Sequence, residues 1–465
     1  MFKEEVYKNR RQKLKEKIGT GILLFLGNTE AAFNYPSNTY SFRQDSDFLY
    51  FFGLDQPDLA GIIDIDTGED YIFGNDFELD DIIWMGPQAS VKDRAARVGV
   101  KNTGALKNLE EVISIAAKKG QKIHILPQYR NANIIKLADL LSVSHDGIKT
   151  FVSLEFIKAV ISLRSIKDEY EIVEIEKAIE TAHLMHTTSM KMAMPGTIEQ
   201  KIAGTIEGIA LSGGGSVSFP VILSTHGETL HNHHHNNILE TGRMMVTDAG
   251  CETALHYASD ITRTVPVGGK FNQRQKEIYE IVLKANLEVI NNSKPDVFYK
   301  DMHLLAAKTI ASGLKELGLM KGNIDEAVNL GAHALFMPHG LGHMMGLDVH
   351  DMEGLGENYV GYDEEVQRSE QFGLAFLRLA KRLKKGYVLT DEPGIYFIPA
   401  LIDLWKKENK FTDFINYSKL ESYKDFGGIR IEDDLLITDN GCKVLGKPIP
   451  KTVAEIEETM KKNSN

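Results

Sequence analysis

At 465 residues the chain is too long for one ordinary core, so two or three domains are expected. Its 43% hydrophobic and 25% charged residues are those of a soluble globular protein, and a net charge of −12 speaks against nucleic acid, because no basic stripe is available to neutralise phosphates. Two cysteines, Cys251 and Cys442, suit a reducing compartment, and the first apolar run, Ile22 to Leu26, is too short for a signal or membrane segment, so a cytoplasmic protein is expected.

In chain order, residues 1 to about 150 alternate short apolar runs with helical patterns. Strands are predicted at 22–26, 61–65, 70–73, 82–85 and 123–126, and helices near 8–17, 90–97, 108–118 and 130–141. The alternation predicts a small α/β domain with a mixed sheet. Within it FRQDSDFLYFFGL (42–54) turns from polar to aromatic and reads as a loop feeding a buried strand. A junction is expected at 150–165, giving domains of 1–160 and 161–465. Beyond it, Ile172, Ile175, Ile179 and Ala182 recur at helical spacing, Pro195-Gly196 stops that helix, and Thr197 with Gln200 reads as a capping box for the next. A second helix pair is predicted at about 272–292 and 299–317, starting at Asn272. Polar, strand-like stretches follow each pair. Helices then strands, twice over, predict an α+β domain rather than a doubly wound sheet.

The chemistry-bearing residues lie in those stretches. HGLGHMMGLDVHD (339–351) holds His339, His343 and His350 among glycines that disfavour a helix and let backbone approach a ligand closely. One histidine would be unremarkable, but three in a glycine-punctuated run point to a metal or catalytic site. Asp248 and Asp260 stand twelve residues apart, where a hairpin or adjacent strands would bring them together. Asp391 and Glu392 end an apolar run before Pro393-Gly394. In GGIRIEDD, Arg430 and Glu432 share one strand face, with Asp433 and Asp434 following. Charges on a buried strand face are costly unless paired or metal-bound. Two aspartates, a histidine and two glutamates from these stretches can hold two divalent ions; mostly oxygen ligands with one imidazole suit Mn²⁺, with Co²⁺, Fe²⁺ or Zn²⁺ able to substitute. Such a pair is hydrolytic machinery.

VTDAG, ASDITRT, HGLGHMMGLDVHD, TDEPGIYF and GGIRIEDD, in that order, resemble the motifs of the proline-specific "pita-bread" metallopeptidases, Xaa-Pro aminopeptidase (aminopeptidase P) and Xaa-Pro dipeptidase (prolidase). NTYSFRQDSDFLYFFGL and the later WMG are similar to that family's non-catalytic N-terminal domain, so the resemblance covers nearly the whole chain. It implies a pita-bread catalytic domain behind the smaller α/β domain. Asp248, Asp260, His343, Glu392 and Glu432 would be the metal ligands, with Asp260 and Glu432 bridging. His339 and His350 would hydrogen-bond substrate and intermediate, Glu392 would handle the proton of the attacking water, and Arg430 would brace the Glu432 region. The family's upstream histidine matches His231 in TLHNHHHNN; a register shifted to His233 is the alternative. The implied substrates are peptides with proline second, and the implied assembly is a homodimer or tetramer.

FGLAFLRLAKRLKKGYVLTDEPG and the insertion after it, IPALIDLWKKENKFTDFINYSKLESYKDFGG, resemble the dipeptidase branch, where an arginine at the position of Arg378 grips the substrate carboxylate. The bland alternative makes Arg378 one charge of a surface run with Lys381, Arg382, Lys384 and Lys385. Two rivals stand beside the dipeptidase reading: an aminopeptidase P acting on longer peptides, and a non-catalytic binding protein on the same fold. The last should have lost ligands, yet all five are present.

Overall fold

Five consecutive apolar residues form β1 (Ile22–Leu26), and all five are buried. The continuous run, rather than an alternating one, reflects a strand covered on both faces. Ile22 and Leu24 join Ile113 and Leu137 in one core, while Phe25 packs on Phe51, Phe52 and Phe156 on the other side. The structure is a computed structural model describing residues 1–461. It divides into one unit of Met1–Arg164 with Met352–Tyr359, and a second of Ser165–Asp351 with Val360 onward.

In the first unit, a short exposed hairpin pairs β2 (Ala32–Tyr35) with β3 (Asn38–Thr39). Strands β4 (Ala60–Asp64), β5 (Asp70–Phe73), β6 (Asn102–Gly104) and β7 (Ile123–Ile125) build a five-stranded sheet with β1, in the order β6-β5-β4-β1-β7. The β1–β7 and β5–β6 pairs are parallel and the others antiparallel, so the sheet is mixed as expected. Two expectations fail here. FRQDSDFLYFFGL folds not as a loop and strand but around the helix Ser46–Phe52, whose start is capped by Asp45 accepting from Phe48 N–H and whose end is Gly53 at φ 63°. All seven helical residues are buried, which erased the polar–apolar period a helix usually shows. IIWM (82–85) is likewise not a strand; Leu79–Met85 is a helix, fixed by reciprocal capping between Glu78 and Asp81.

The second unit follows the expected double order. Helices Glu169–Met192 and Glu199–Ser212 precede the antiparallel sheet β10-β9-β8, formed by β8 (Ile222–Ser224), β9 (Met244–Asp248) and β10 (Thr262–Pro266). Helices Gln273–Asn292 and Tyr299–Glu316 precede β11 (Val388–Asp391), β12 (Gly394–Tyr396), β13 (Gly428–Arg430), β14 (Asp433–Ile437) and β15 (Cys442–Val444). These last five form a β11-β14-β15 sheet and a β12–β13 pair, all antiparallel. Asn272 does cap the third helix, in a box with Gln275. The box expected from Thr197 and Gln200 does not form. The first turn there instead donates Glu199 N–H to Asn237 O and Gln200 N–H to His235 O, so a distant loop satisfies the helix start. The IRIE stretch is also not one strand, because β13 ends at Arg430 and β14 begins at Asp433. No helix is long and apolar enough to cross a membrane among the described residues.

Both cysteines are free, and burial pushes each thiol up to about 11. At about pH 8 each should therefore be thiolate in roughly one molecule per thousand. Ellman's reagent should find no fast-reacting thiol in the native protein and two after unfolding in guanidinium; a rapid native reaction would contradict this burial.

Candidate functional site

Antiparallel pairing places the two aspartates together. Asp248 ends β9 directly opposite Thr262 of β10, and Asp260 lies two residues before Thr262. The Asp260 N–H donates to Asp434 Oδ2, and the Glu432 N–H donates to Thr262 O, so the segment between β13 and β14 is tied to the start of β10. Thr262 Oγ1 then donates to Glu432 Oε2 at 2.6 Å. Arg430 is buried with its guanidinium spread over three partners: Asp248 Oδ2 at 2.6 Å, Tyr396 Oη at 2.7 Å and Thr262 Oγ1 at 3.1 Å. It therefore reaches Glu432 through Thr262.

The histidine stretch is neither helix nor regular strand; it runs as bends beside β11. His343 N–H donates to Thr390 Oγ1, Thr390 N–H donates to His343 O, and Glu392 N–H donates to Leu341 O. Gly342 is required by this approach, since a Cβ there would lie 2.1 Å from Thr390 O. These bonds fix where His343 and Glu392 stand relative to each other.

The carbonyls around the imidazoles decide their tautomers. His343 Nδ1 lies 3.1 Å from Met344 O, an acceptor only, so Nδ1 carries the proton and Nε2 offers its lone pair. That Nε2 is 3.4 Å from Asp260 Oδ2 and 3.8 Å from Glu392 Oε1. A backbone carbonyl holding the distal N–H is the usual arrangement of a metal-binding histidine. His339 Nδ1 lies 2.7 Å from Gly340 O, so its Nε2 accepts the Tyr396 hydroxyl proton. Burial, with the Arg430 charge, pushes His339 down to about 3, so the ring is neutral.

The acidic groups strain against one another. Burial and the Asp248 charge raise Asp260; burial and the Asp260 charge raise Glu432; burial pushes Glu392 up to about 7. Asp248 Oδ1 and Asp260 Oδ1 are buried with no hydrogen-bond partner. Asp260, His343 and Glu432 each present a ligand atom, all within 4.8 Å of one another. Unpaired carboxylate oxygens, crowded like charges and an available imidazole lone pair fit a divalent cation site.

A cleft of about 670 Å³ opens over this cluster. Its lining includes Asp248, Asp260, His343, Glu392 and Glu432, together with His231, His233 and His350, and an apolar wall of Phe219, Pro220, Ile222 and Val349. The His350 ring meets the His343 ring edge to face at 4.3 Å. His231 and His233 thus share the cleft, on a loop anchored by the buried Glu199 carboxylate, which accepts from Thr225 N–H and Asn237 Nδ2. His339 and Arg430 stand behind the lining, linked through Tyr396. Arg378 is partly buried and outside the lining, although its charge acts on His343. Tyr396 and Thr262 escaped the sequence reading: both sat inside quoted motifs, but uncharged hydroxyls at strand positions carry no signal of their own.

Against known proteins, the family description "Metallopeptidase family M24" matches residues 173–439, and "Aminopeptidase P, N-terminal domain" matches 7–125. The human Xaa-Pro dipeptidase is 32% identical, covering 97% of this chain and 92% of its own length. A probable Xaa-Pro aminopeptidase of Fusarium vanettenii is 33% identical over 96% of this chain and 93% of its own. Escherichia coli aminopeptidase P, solved as a variant in complex with substrate, superposes with a TM-score of 0.82 at 27% identity, covering 99% of both chains. The second unit is accordingly a pita-bread catalytic domain and the first an aminopeptidase P-type N-terminal domain. With half of the sequence matched by the catalytic family and nearly all of it aligned to the human relative, the chain belongs to metallopeptidase family M24.

Proposed function

We propose that this chain is a metal-dependent exopeptidase that hydrolyses the bond between an N-terminal residue and proline, with a leaning to Xaa-Pro dipeptides. The observation that carries the reading is the convergence of Asp248, Asp260, His343, Glu392 and Glu432 on one cleft walled by His231 and His350. The names of the relatives, Xaa-Pro dipeptidase and Xaa-Pro aminopeptidase, support proline specificity. The Xaa-Pro bond is a tertiary amide without N–H, so a site that grips amine and carbonyl instead of that hydrogen suits it.

In this reading Asp248, Asp260, His343, Glu392 and Glu432 would hold the divalent ions. Four carboxylates and one imidazole favour Mn²⁺, with Co²⁺, Fe²⁺ or Zn²⁺ as substitutes. Bound there, a divalent pair supplies Lewis acidity, lowering the pKa of water and offsetting charge on the substrate oxygen. Glu392 takes the proton of the attacking water and returns it to the proline nitrogen as that nitrogen leaves; its raised proton affinity suits both steps. His350 and His231 (His233 in the alternative register) donate to the carbonyl oxygen as charge grows on it. His339, neutral and held by Gly340 and Tyr396, supports the cleft from behind, and Arg430 aims the Asp248 carboxylate.

Residues 1–160 form the non-catalytic domain in this proposal and 161–465 the peptidase. The family implies a homodimer or tetramer, and the exposed apolar residues Leu79, Ile83, Trp84 and Met85 support an interface between copies. Two free cysteines are consistent with a cytoplasmic location.

Chelation should abolish hydrolysis of an Xaa-Pro dipeptide and added Mn²⁺ should restore it; His343→Ala and Asp260→Ala should be inactive at any Mn²⁺ concentration. Full turnover in chelated protein would sink the metal reading. His350→Ala should lower kcat by about 10²–10³ while metal content, read by elemental analysis, stays at the wild-type ratio. Loss of metal in step with activity would make His350 a ligand instead. Arg378→Ala separates the branches: it should cost dipeptide cleavage about 2–5 kcal/mol and spare Xaa-Pro-Yaa tripeptides. Equal losses, or a wild-type preference for longer peptides, would assign the aminopeptidase P branch.

A further inference from the structure

His350 is presented by a tight turn, GLDVHD, at 346–351. Backbone bonds close it from Gly346 N–H to Asp348 O and from Asp351 N–H to Met344 O. Asp351, the next residue after His350, is buried and is not part of the cleft lining. Its Oδ2 accepts from Lys167 Nζ at 2.8 Å, and both side chains are only 1% exposed. Its Oδ1 lies 3.4 Å from the Asp348 N–H. Lys167 comes from 184 residues away, and its own N–H donates to Gly386 O, next to the start of β11. The pair is packed against the turn itself: a Cβ on Gly346 would lie 2.7 Å from Asp351 Oδ2 and 2.8 Å from Lys167 Cε.

A buried ion pair is a poor device for stability alone. Desolvating each ion costs several kcal/mol, and apolar replacements of similar volume are often as stable or more so. What an ion pair adds is registry, because its geometry admits one arrangement where apolar side chains admit many. Here the registered object is the turn that carries His350, whose ring lies edge-on against His343.

We propose that Lys167 and Asp351 are positioning residues that hold His350 over the reacting carbonyl, acting through the turn 346–351 and not through substrate or metal. The inference rests on the reading of His350 as a donor to that oxygen. The pair lies outside the proposed ligand set, so its loss should leave metal binding intact.

The test uses full-length, Mn²⁺-loaded protein. Lys167→Met should lower kcat for an Xaa-Pro dipeptide by about 10–100-fold, a share of what a transition-state donor contributes, with KM changed less than about 3-fold. Introduced into His350→Ala, the same substitution should cost less than about 2-fold more, since both changes remove one interaction. Diethyl pyrocarbonate with mass-spectrometric readout gives a measurement independent of substrate: His350 should change its carbethoxylation rate several-fold relative to the exposed His234, while metal content is unchanged. Asp351→Asn should reproduce the pattern. Additive losses in His350→Ala, unchanged His350 reactivity, lost metal, or insoluble protein from both variants would each overturn the proposal and make the pair a stability element. Absence of wild-type Xaa-Pro cleavage would instead strike the function above, with the carbethoxylation comparison still deciding the pair's role.

Discussion

Like charge packed out of water is the constraint on which the catalytic unit depends. Asp248, Asp260 and Glu432 are buried, Glu392 borders the cleft, and Asp434 lies directly behind Asp260. Arg430 contacts this cluster and is committed to Asp248. Burial makes each ionised carboxylate costly and each neighbour makes the next more so. Such an arrangement persists because the backbone over-determines it. The β9–β10 ladder, the Glu432 amide bonded to Thr262 O and the pairing of residues 341–345 with β11 set positions through the backbone, and the Asp260 amide adds a bond to the Asp434 carboxylate. A site held so firmly while its charges repel is built for cations that complete it.

The same principle orders the histidines. His343 and His339 are each pinned by a carbonyl that can only accept, so the ring nitrogen facing the site has a fixed character. One lone pair is directed at the carboxylates and the other is engaged by Tyr396. Tyr396 in turn accepts from Arg430, which grips Asp248. A continuous chain of bonds therefore runs from the histidine stretch through β12 and β13 to the end of β9. Motifs far apart in sequence become one rigid frame, and rigidity at this scale is what precise placement of reacting atoms requires.

Behind the frame, a second polar layer joins the helix Gln273–Asn292 and the C-terminal segment to the strands. Asp433 accepts from Arg263 at 2.7 Å and from Lys451 at 2.6 Å, while Asn286 donates to Asp391. Asp433 is thus neutralised within the protein by two cations, whereas the Asp260 and Glu432 carboxylates at the cleft have like charges for neighbours. Glu432 and Asp433 are therefore adjacent in sequence yet opposite in surroundings, one lining the cleft and the other held by Arg263 and Lys451.

Residue pattern by itself determined a good deal here. The apolar runs of β1, β5 and β7, the long helices with their periodic isoleucines, the Asn272 cap and the clustering of histidines and carboxylates are local signals, readable because each depends on neighbours in sequence. The ordered motifs also carried the family. Where the signal was not local, the reading failed. The helix Ser46–Phe52 is buried on every side and shows no period, IIWM belongs to a helix set by its caps rather than its apolar residues, and the start of Glu199–Ser212 is satisfied by a loop almost forty residues on. Only the tertiary structure could bring His231 and His233 into one cleft, give Tyr396 and Thr262 their roles, and set Lys167 beside Asp351. The bonds among them join residues 57 to 184 positions apart, and chemical type at a position does not say which distant partner the packed fold will deliver to it.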